Sequence, residues 1–390
     1  MTNKRNVPQL FYFGTLLSSI GSMTLTISMI AFMLKFGFSL LQISIIIGTS
    51  RLIPVIVSIF FGHKLEAYSP RKTILATEIL ASLASMLLLA GWQVFGKSYY
   101  IVLLAMLLRV LFTSMQTGSR GQIAKELSDS SYQSNSKNAI WLNKVTQGAT
   151  LFAGAIAWVA IKYGNFQSVI LFDAVTFILN GVILFLLPLN QSGVAAVETG
   201  SVFKKFSDLY KFSGWAASLD ALLVLSMMGT SSFTARLAGT DEAWISLFVI
   251  SYGLAVWFAG FVERVPFIQK QRILPWVILG ITLGVLGQFS SPTLFMWIVC
   301  FVKDIAFWIL FHRITAHIQS DTPKEVMGSV TFARNAQVIS IFALGEFAVG
   351  LWKSILTVQS ECLLRTGICA VALIVILVFG EKREHEKSHL

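Results

Sequence analysis

The sequence predicts an all-α integral membrane protein with twelve transmembrane helices in two pseudo-symmetric six-helix bundles. The mean hydropathy is +0.73, and only 13% of the residues are charged. Twelve apolar segments are each long enough to cross the hydrocarbon core, which takes about 20 helical residues. The two halves of the chain also carry similar loops at equivalent places, which indicates a duplicated unit of six helices.

The spans divide into an N-terminal bundle at 1–188, a cytoplasmic linker at 189–206, a C-terminal bundle at 207–380 and a tail at 381–390. The linker is polar, contains Gly and Ser, and ends close to Lys204 and Lys205. The first span follows a short basic segment without a small-residue cleavage pattern, so we expect an uncleaved helix. The predicted spans lie near 9–34, 40–61, 73–95, 99–118, 141–161, 167–188, 214–235, 243–262, 273–289, 292–312, 327–350 and 356–379.

The distribution of basic residues predicts the orientation. Of the 30 Lys and Arg residues, 19 fall in the termini and loops on one side of the predicted membrane and 5 in the loops on the other side. The positive-inside rule therefore places both termini in the cytoplasm. The rule also accounts for the basic composition, so no nucleic-acid partner is needed. The five residues on the outer side are Lys35, Lys97, Lys162, Arg236 and Lys353.

Several classes of protein are disfavoured by what the sequence lacks. It has no GxxxxGK[ST] phosphate loop and no large soluble segment, which argues against an ATP-driven pump. No nucleophile and base are paired at membrane depth, so an enzyme is not expected. His312 and His317 are five residues apart without an acidic ligand at fixed spacing, and we expect no metal site and no cofactor. All three cysteines lie in spans, and no disulfide framework is implied.

The repeat is visible in two pairs of loops. The loop after the second span (Gly62–Lys72) and the loop after the eighth (Gly260–Arg272) each have a glycine at the helix end, then an acid, then two basic residues. The segments Gln122–Asn138 and Gln319–Asn335 correspond in the same way. Two parallel halves with a substrate site between them are a common construction of secondary transporters.

Four segments resemble those of a known family. They are Phe172–Phe185 in the sixth span, the segment Thr315–Val330, the loop Gly62–Lys72, and Arg109 in the fourth span. They resemble the major facilitator superfamily and, more narrowly, its branch of bacterial enterobactin exporters and macrolide or drug efflux carriers. The resemblance implies two six-helix bundles around a central cavity, proton antiport and no cofactor.

The chain departs from the family pattern in the loop after the second span. Glu66 stands in place of the signature Asp, Ala67 in place of Arg, and Pro70 displaces Arg71 and Lys72 by one position. The fifth span also lacks the Gly-Pro pair of drug antiporters. Similar loop residues latch the two halves of family members together, so the resemblance implies a gating role for Glu66, Arg71 and Lys72. The other interpretation is that they only set the topology.

Ionisable residues inside the spans indicate the substrate. A charge at bilayer depth costs a few kcal/mol or more, so it normally faces a cavity or a partner. The resemblance implies that the helices carrying these residues line the cavity. The first interpretation is a basic cavity that binds an anion through guanidinium forks. The second is mutual neutralisation, with Lys303 or Arg109 pairing with Asp220 or Asp304. In that case Arg51 or Arg334 would bind backbone carbonyls or the signature acids. The cations are Arg51, Arg109, Lys303 and Arg334.

Further roles are predicted for acids and aromatic residues. Asp220 and Asp304 are candidate proton carriers. A carboxylate takes up a proton when it loses its cationic partner and releases the proton when the partner returns. A permanent ion pair is the alternative for Asp304 beside Lys303. Glu346 is a candidate gate acid near the outer end of its span. Three aromatic residues are candidate substrate contacts, with lipid or helix packing as the alternative: Trp257, Phe307 and Trp308.

Together these features predict a monomeric secondary-active transporter in a bacterial inner membrane. Its partners would be protons, membrane lipids and a small solute. We expect a proton-coupled exporter of a small anionic organic solute, such as a carboxylate or catecholate siderophore, that works by alternating access. A multidrug efflux antiporter and an importer of a carboxylate or iron chelate remain alternatives, because alternating access is reversible and gradients set the direction.

Overall fold

A computed structural model describes residues 7–66, 68–127, 132–188, 202–227, 244–262, 265, 294–323, 326–352, 367 and 371. In these ranges the chain is helical with short turns and contains no strand, which confirms the predicted all-α class. The helices are α1 (Val7–Lys35), α2 (Leu40–Glu66), α3 (Pro70–Phe95), α4 (Tyr99–Glu126), α5 (Tyr132–Tyr163), α6 (Phe166–Leu186), α7 (Val202–Met227), α8 (Trp244–Val262), α9 (Leu294–Asp321) and α10 (Met327–Trp352).

Six of the described helices are long and apolar enough to cross a membrane, namely α1, α3, α6, α8 and the apolar parts of α2 and α4. The predicted span at 273–289 lies outside the described residues. So does the predicted span at 356–379, apart from residues 367 and 371.

Several helices extend beyond the predicted spans. The segment Gln122–Asn138, expected as a loop, belongs largely to the end of α4 and the start of α5. Most of Thr315–Val330 likewise belongs to the end of α9 and the start of α10. Hydropathy marks only the part of a helix in hydrocarbon, whereas backbone hydrogen bonding continues through polar residues outside it.

The chain forms two compact units. Unit 1 comprises Met1–Glu198 and Leu237–Gly253, and unit 2 comprises Thr199–Arg236 and Leu254–Leu390. Within unit 1, α3 packs against α4 and α6, α1 packs against α5 and α6, and α2 packs against α4. Within unit 2, α7 packs against α9 and α10.

A close approach of α1 to α6 depends on two glycines seven residues apart on one face of α1. A Cβ atom added at Gly21 would overlap Thr176 Oγ1 and lie 2.9 Å from Thr176 Cβ. A Cβ atom added at Gly14 would overlap Asn180 Oδ1. Small residues at such crossings let backbones approach in a membrane, where packing contributes much of the association between helices.

Local signals fix the turn between α1 and α2. Gly37 has φ +81°, and the amide of Phe38 donates to the carbonyl of Met33, which ends α1 in a Schellman motif. Ser39 and Gln42 then form a capping box. The Ser39 amide donates to Gln42 Oε1 (2.9 Å), and the Gln42 amide donates to Ser39 Oγ (3.3 Å).

Helix α7 has two parts. Ser213 has φ −139° and ψ 34°, so the helix bends there between an initial segment at 202–212 and a longer segment at 214–227. The predicted span began at residue 214, so it corresponds to the second segment, and the initial helical segment was not predicted.

The α1–α6 crossing gives a first testable prediction. Gly21→Ala should lower the free energy of unfolding by about 1–3 kcal/mol, because the added methyl group forces the two helices apart. Thermal unfolding in detergent measures this change. Gly260→Ala in α8 is the matched control, since a Cβ atom there meets no atom within 4 Å. An equal effect of the two substitutions would contradict the close crossing.

Candidate functional site

A buried ion pair joins α7 to α10 in unit 2. Arg334 Nε donates to Asp220 Oδ2 (2.8 Å), and Arg334 Nη2 donates to Asp220 Oδ1 (3.3 Å). Asp220 is 1% exposed and Arg334 is 6% exposed. Two parallel hydrogen bonds of this kind are the strongest geometry for an arginine and a carboxylate.

Arg334 also contacts two residues of α9. Its Nη1 donates to Thr315 Oγ1 (2.8 Å), and its guanidinium carbon lies 4.5 Å from the centroid of the Phe311 ring. One turn further along α10, Gln337 Nε2 donates to the carbonyl of Ala217 (2.8 Å). The guanidinium therefore has one charged, one hydroxyl and one aromatic neighbour, each from a different turn or helix.

The cluster lies at similar distances from the bend in α7, the start of α10 and the end of α9. Asp220 follows the Ser213 bend by about 10 Å of helix, and Arg334 follows the start of α10 by a similar distance, at 1.5 Å per residue. Thr315 precedes the end of α9 by roughly 9 Å on the same scale. The bend in α7, the start of α10 and the end of α9 thus place these three residues at one depth.

The second predicted carboxylate, Asp304, lies elsewhere. Lys303 Nζ is 3.0 Å from Asp304 Oδ1, so these consecutive residues do meet, and their side chains are 23% and 13% exposed. Asp304 precedes Thr315 in α9 by about 16 Å of helix. The two candidate proton carriers therefore belong to separate sites.

Arg109 of α4 is held by an acid that was not among its expected partners. Its Nε donates to Asp173 Oδ2 (2.7 Å) and its Nη2 to Asp173 Oδ1 (2.9 Å). Ser85 Oγ of α3 donates to the same carboxylate (2.6 Å). Asp173 is fully buried, and Arg109 is 3% exposed. The alternative that paired Arg109 with Asp220 or Asp304 is wrong, because α6 supplies the counter-charge.

A second buried acid in unit 1 joins four helices. Glu78 of α3 accepts from Arg120 Nη2 of α4 (3.0 Å), Asn180 Nδ2 of α6 (2.6 Å) and Ser18 Oγ of α1 (3.3 Å). Arg120 Nη2 also donates to Gln116 Oε1 (2.6 Å). Arg120 is one of the 19 basic residues that the sequence places on the cytoplasmic side, and its pairing with Glu78 was not predicted.

A spacing in the sequence marks both clusters of unit 1. Glu78 and Ser85 are seven residues apart in α3, and Asp173 and Asn180 are seven apart in α6. Residues seven apart lie on one face of a helix, so these pairs indicate two polar layers between the same helices.

The predicted gating residues are dispersed. Arg71, near the start of α3, donates from Nη2 to the carbonyl of Phe185 at the end of α6. Lys72 is exposed, and Glu66 ends α2 with its side chain outside the described residues. Glu346 is fully buried in α10. Their roles as gates stay predictions.

The remaining candidates differ in exposure. Phe307 and Trp308 are nearly buried in α9, and the Phe307 ring stacks on Phe311 at a centroid distance of 6.2 Å. Trp257 of α8 is 50% exposed. Arg51 is half-buried in α2, three residues before Pro54.

Among the described residues, no group of three His, Cys, Asp or Glu side chains is placed to hold a metal ion.

Apolar helices with ion pairs buried between them define a multi-pass membrane protein. Its similarity to known proteins defines its class as a transporter. The family model of the Major Facilitator Superfamily matches residues 11–345. The chain therefore belongs to the Major Facilitator Superfamily, a family of transporters. A search of curated protein sequences finds no match.

Solved transporter structures share the fold. A POT family transporter in complex with a thioalcohol conjugated peptide has a TM-score of 0.79 at 12% identity over 96% of each chain. A bacterial homologue of the iron transporter ferroportin, in an inward-facing state, has a TM-score of 0.72 at 15% identity over 96% of this chain and 99% of that one. The nucleoside transporter NupG has a TM-score of 0.68 at 14% identity over 95% and 98%. At these identities the likeness shows the fold alone.

The geometry of Arg109 gives a second prediction. Arg109→Met and Asp173→Leu should each destabilise the protein by about 3–5 kcal/mol, because each leaves a buried charge without its partner. The double variant should regain most of this loss, since it removes both charges. The folded fraction that survives heating in detergent is the measurement. Single variants as stable as the unmodified protein, or a double variant as unstable as the singles, would contradict a structural pair.

Proposed function

We propose that the protein is a proton-coupled secondary transporter that exports a small anionic organic solute by alternating access. The observation that carries the proposal is the buried Arg334–Asp220 pair with its Thr315 contact. The resemblance to enterobactin exporters supports a carboxylate or catecholate siderophore as the solute. We place the protein as a monomer in a bacterial inner membrane with both termini in the cytoplasm.

The substrate class follows from the chemistry of Arg334. Its fork already holds one carboxylate in a bidentate arrangement, and a substrate carboxylate has the same shape and charge. A substrate anion that replaces Asp220 keeps both hydrogen bonds of the guanidinium and its contact with Thr315. A lipophilic cation would meet a like charge instead, which disfavours the multidrug alternative.

Three of the buried carboxylates, those of Asp173, Glu78 and Asp220, differ in how firmly they are held. Asp173 also accepts from Ser85, and Glu78 also accepts from Ser18 and Asn180. Within the part of the chain that the structure describes, the side-chain hydrogen bonds of Asp220 come from Arg334 alone. Asp220 therefore loses fewer contacts when an anion takes its place, and we propose Arg334 rather than Arg109 as the principal substrate cation.

Proton coupling follows from the same exchange. An ionised carboxylate left without its cation in a low-dielectric interior costs several kcal/mol, so a displaced Asp220 takes up a proton. Binding of the anion and binding of the proton then favour each other, and the coupling is reciprocal. Species that bind together cross together, so this pair favours joint movement of proton and anion over their exchange.

The charge of the solute then sets the direction. A tricarboxylate that leaves with one proton carries two net negative charges, and an inside-negative potential favours its exit by about 2.3 kcal/mol per charge per 100 mV. An opposing gradient of one pH unit costs only about 1.4 kcal/mol. A monocarboxylate with one proton is neutral, so only the pH gradient acts and uptake results. Export therefore fits a polycarboxylate, and import fits a singly charged anion.

Asp220→Asn tests the coupling. The variant cannot exchange a proton, so transport driven by a pH gradient should be lost while anion exchange between equal concentrations persists. Fluxes of radiolabelled citrate, as a model tricarboxylate, into vesicles with imposed gradients measure both. Asp304→Asn, at the other candidate proton carrier, is the matched control. Loss of pH-driven transport in Asp304→Asn, with Asp220→Asn unaffected, would transfer the proton site to Asp304.

Substitution of Arg334 tests the substrate class. Arg334→Ala should weaken citrate binding to the purified protein by roughly ten- to hundred-fold, because a charge-assisted contact contributes about 1.5–3 kcal/mol. Arg334→Lys should restore only part of the affinity, since the fork geometry is lost. Calorimetric titration measures the binding, with tetraphenylphosphonium as the cationic comparison. Tighter binding of that cation than of any anion, increased further in Arg334→Ala, would establish the multidrug alternative.

A further inference from the structure

The initial segment of α7, residues 202–212, presents an amphipathic outer face. Phe203 is 88% exposed and Tyr210 is 47% exposed, and these two residues are seven apart, so they form one row along the helix. Lys204 and Lys211 are also exposed and seven apart, and they form a parallel row next to the aromatic one. Ser207 lies between the two aromatic residues and is exposed as well.

The opposite face of the segment holds it against unit 2. Leu209 is fully buried. Lys205 Nζ lies 4.3 Å from the centroid of the Phe332 ring of α10. Tyr210 Oη donates to Gln337 Oε1 of α10 (2.9 Å), although the Tyr210 ring itself is on the outer face. These contacts fix which side of the segment faces outward, so the aromatic and lysine rows are a defined surface.

The position of the segment limits what can cover this surface. The bend at Ser213 separates it from the second segment of α7, with which the predicted span at 214–235 begins. It therefore lies at the end of a predicted span and at an angle to it. Aromatic residues at such a position enter the boundary between acyl chains and headgroups, and lysines reach the phosphates above them. Three lysines and one aspartate give the segment a positive charge that complements anionic lipids.

We propose that the outer face of residues 202–212 is an interfacial binding surface for anionic phospholipids. Phe203 inserts beside the acyl chains, and the exposed side of the Tyr210 ring lies next to it while the Tyr210 hydroxyl stays bonded to Gln337. Lys204 and Lys211 bind the headgroup phosphates. Lys211 lies 5.4 Å from the Phe212 ring but is exposed on the outer face. Lys205 takes no part, because it is only partly exposed and packs on Phe332 of α10 on the opposite face.

Tyr210 contacts Gln337, one turn from Arg334, but the proposed lipid contacts do not use the Arg334–Asp220 pair. This proposal therefore does not depend on what the transporter carries.

A fluorescent label at position 207 reports on this surface in the full chain. Ser207→Cys is labelled in a background with Cys300, Cys362 and Cys369 replaced by alanine, and the protein is placed in phosphatidylcholine nanodiscs. Phosphatidylglycerol and phosphatidylcholine that carry the same doxyl group on the acyl chain are then compared as quenchers at equal mole fraction. Preferential quenching by the anionic lipid measures its enrichment at the segment.

The expected result is a strong preference for phosphatidylglycerol that about 0.5 M salt largely removes. Lys204→Gln and Lys211→Gln should each reduce the preference about five-fold, and the double variant roughly 25-fold. Lys205→Gln, the matched control, should leave it unchanged. Phe203→Ala should reduce quenching by both lipids alike, because it removes an insertion that does not depend on headgroup charge.

Two results would overturn the proposal. Equal quenching by the two lipids would show that the lysines do not bind anionic headgroups. The second result is a label that is shielded from the quencher in phosphatidylcholine alone, and more so with more protein molecules per disc. That result would assign the surface to a second copy of the chain.

Discussion

A charge between membrane helices is stable only beside an opposite charge, because the low-dielectric surroundings penalise an ion without a partner by several kcal/mol. The described helices meet this constraint with ion pairs between different helices. In unit 1, Arg109 pairs with Asp173, and Arg120 pairs with Glu78. The two pairs connect α3, α4 and α6, and Ser18 adds α1. The same residues that compensate each charge therefore also fix how these helices pack.

In unit 2, the cation of the buried pair has support besides its counter-ion. Arg334 keeps contacts with Thr315 and Phe311 that do not involve the Asp220 carboxylate. A guanidinium with independent support stays in position when its counter-ion is replaced. Asp173 and Glu78, by contrast, each accept hydrogen bonds from more than one side chain. On our proposal, a difference in hydrogen bonding, rather than in charge, distinguishes the pair that switches from the pairs that hold the bundle together.

The sequence predicted the class and most helices because hydropathy reports directly on burial in lipid. It also identified Arg109, Asp220 and Arg334, since an ionisable residue in an apolar segment is conspicuous. It did not identify the partners, because pairing depends on the rotation of each helix about its axis, to which hydropathy gives no access. The seven-residue spacing of polar positions in α3 and α6 was the signal in the sequence that could have indicated Asp173 as the partner of Arg109. The amphipathic start of α7 was missed because its three lysines, with Ser207 and Asp208, lower its hydropathy below that of a span.

The central claim is that an anion replaces Asp220 on Arg334 and leaves Asp220 to take up a proton. Addition of citrate to the purified protein in weakly buffered solution, with a pH-indicator dye, measures protons taken up per anion bound, after correction for protonation of citrate itself. The account predicts uptake of about one proton per anion, and none in Asp220→Asn. Anion binding to the unmodified protein without proton uptake, or with proton release, would contradict it.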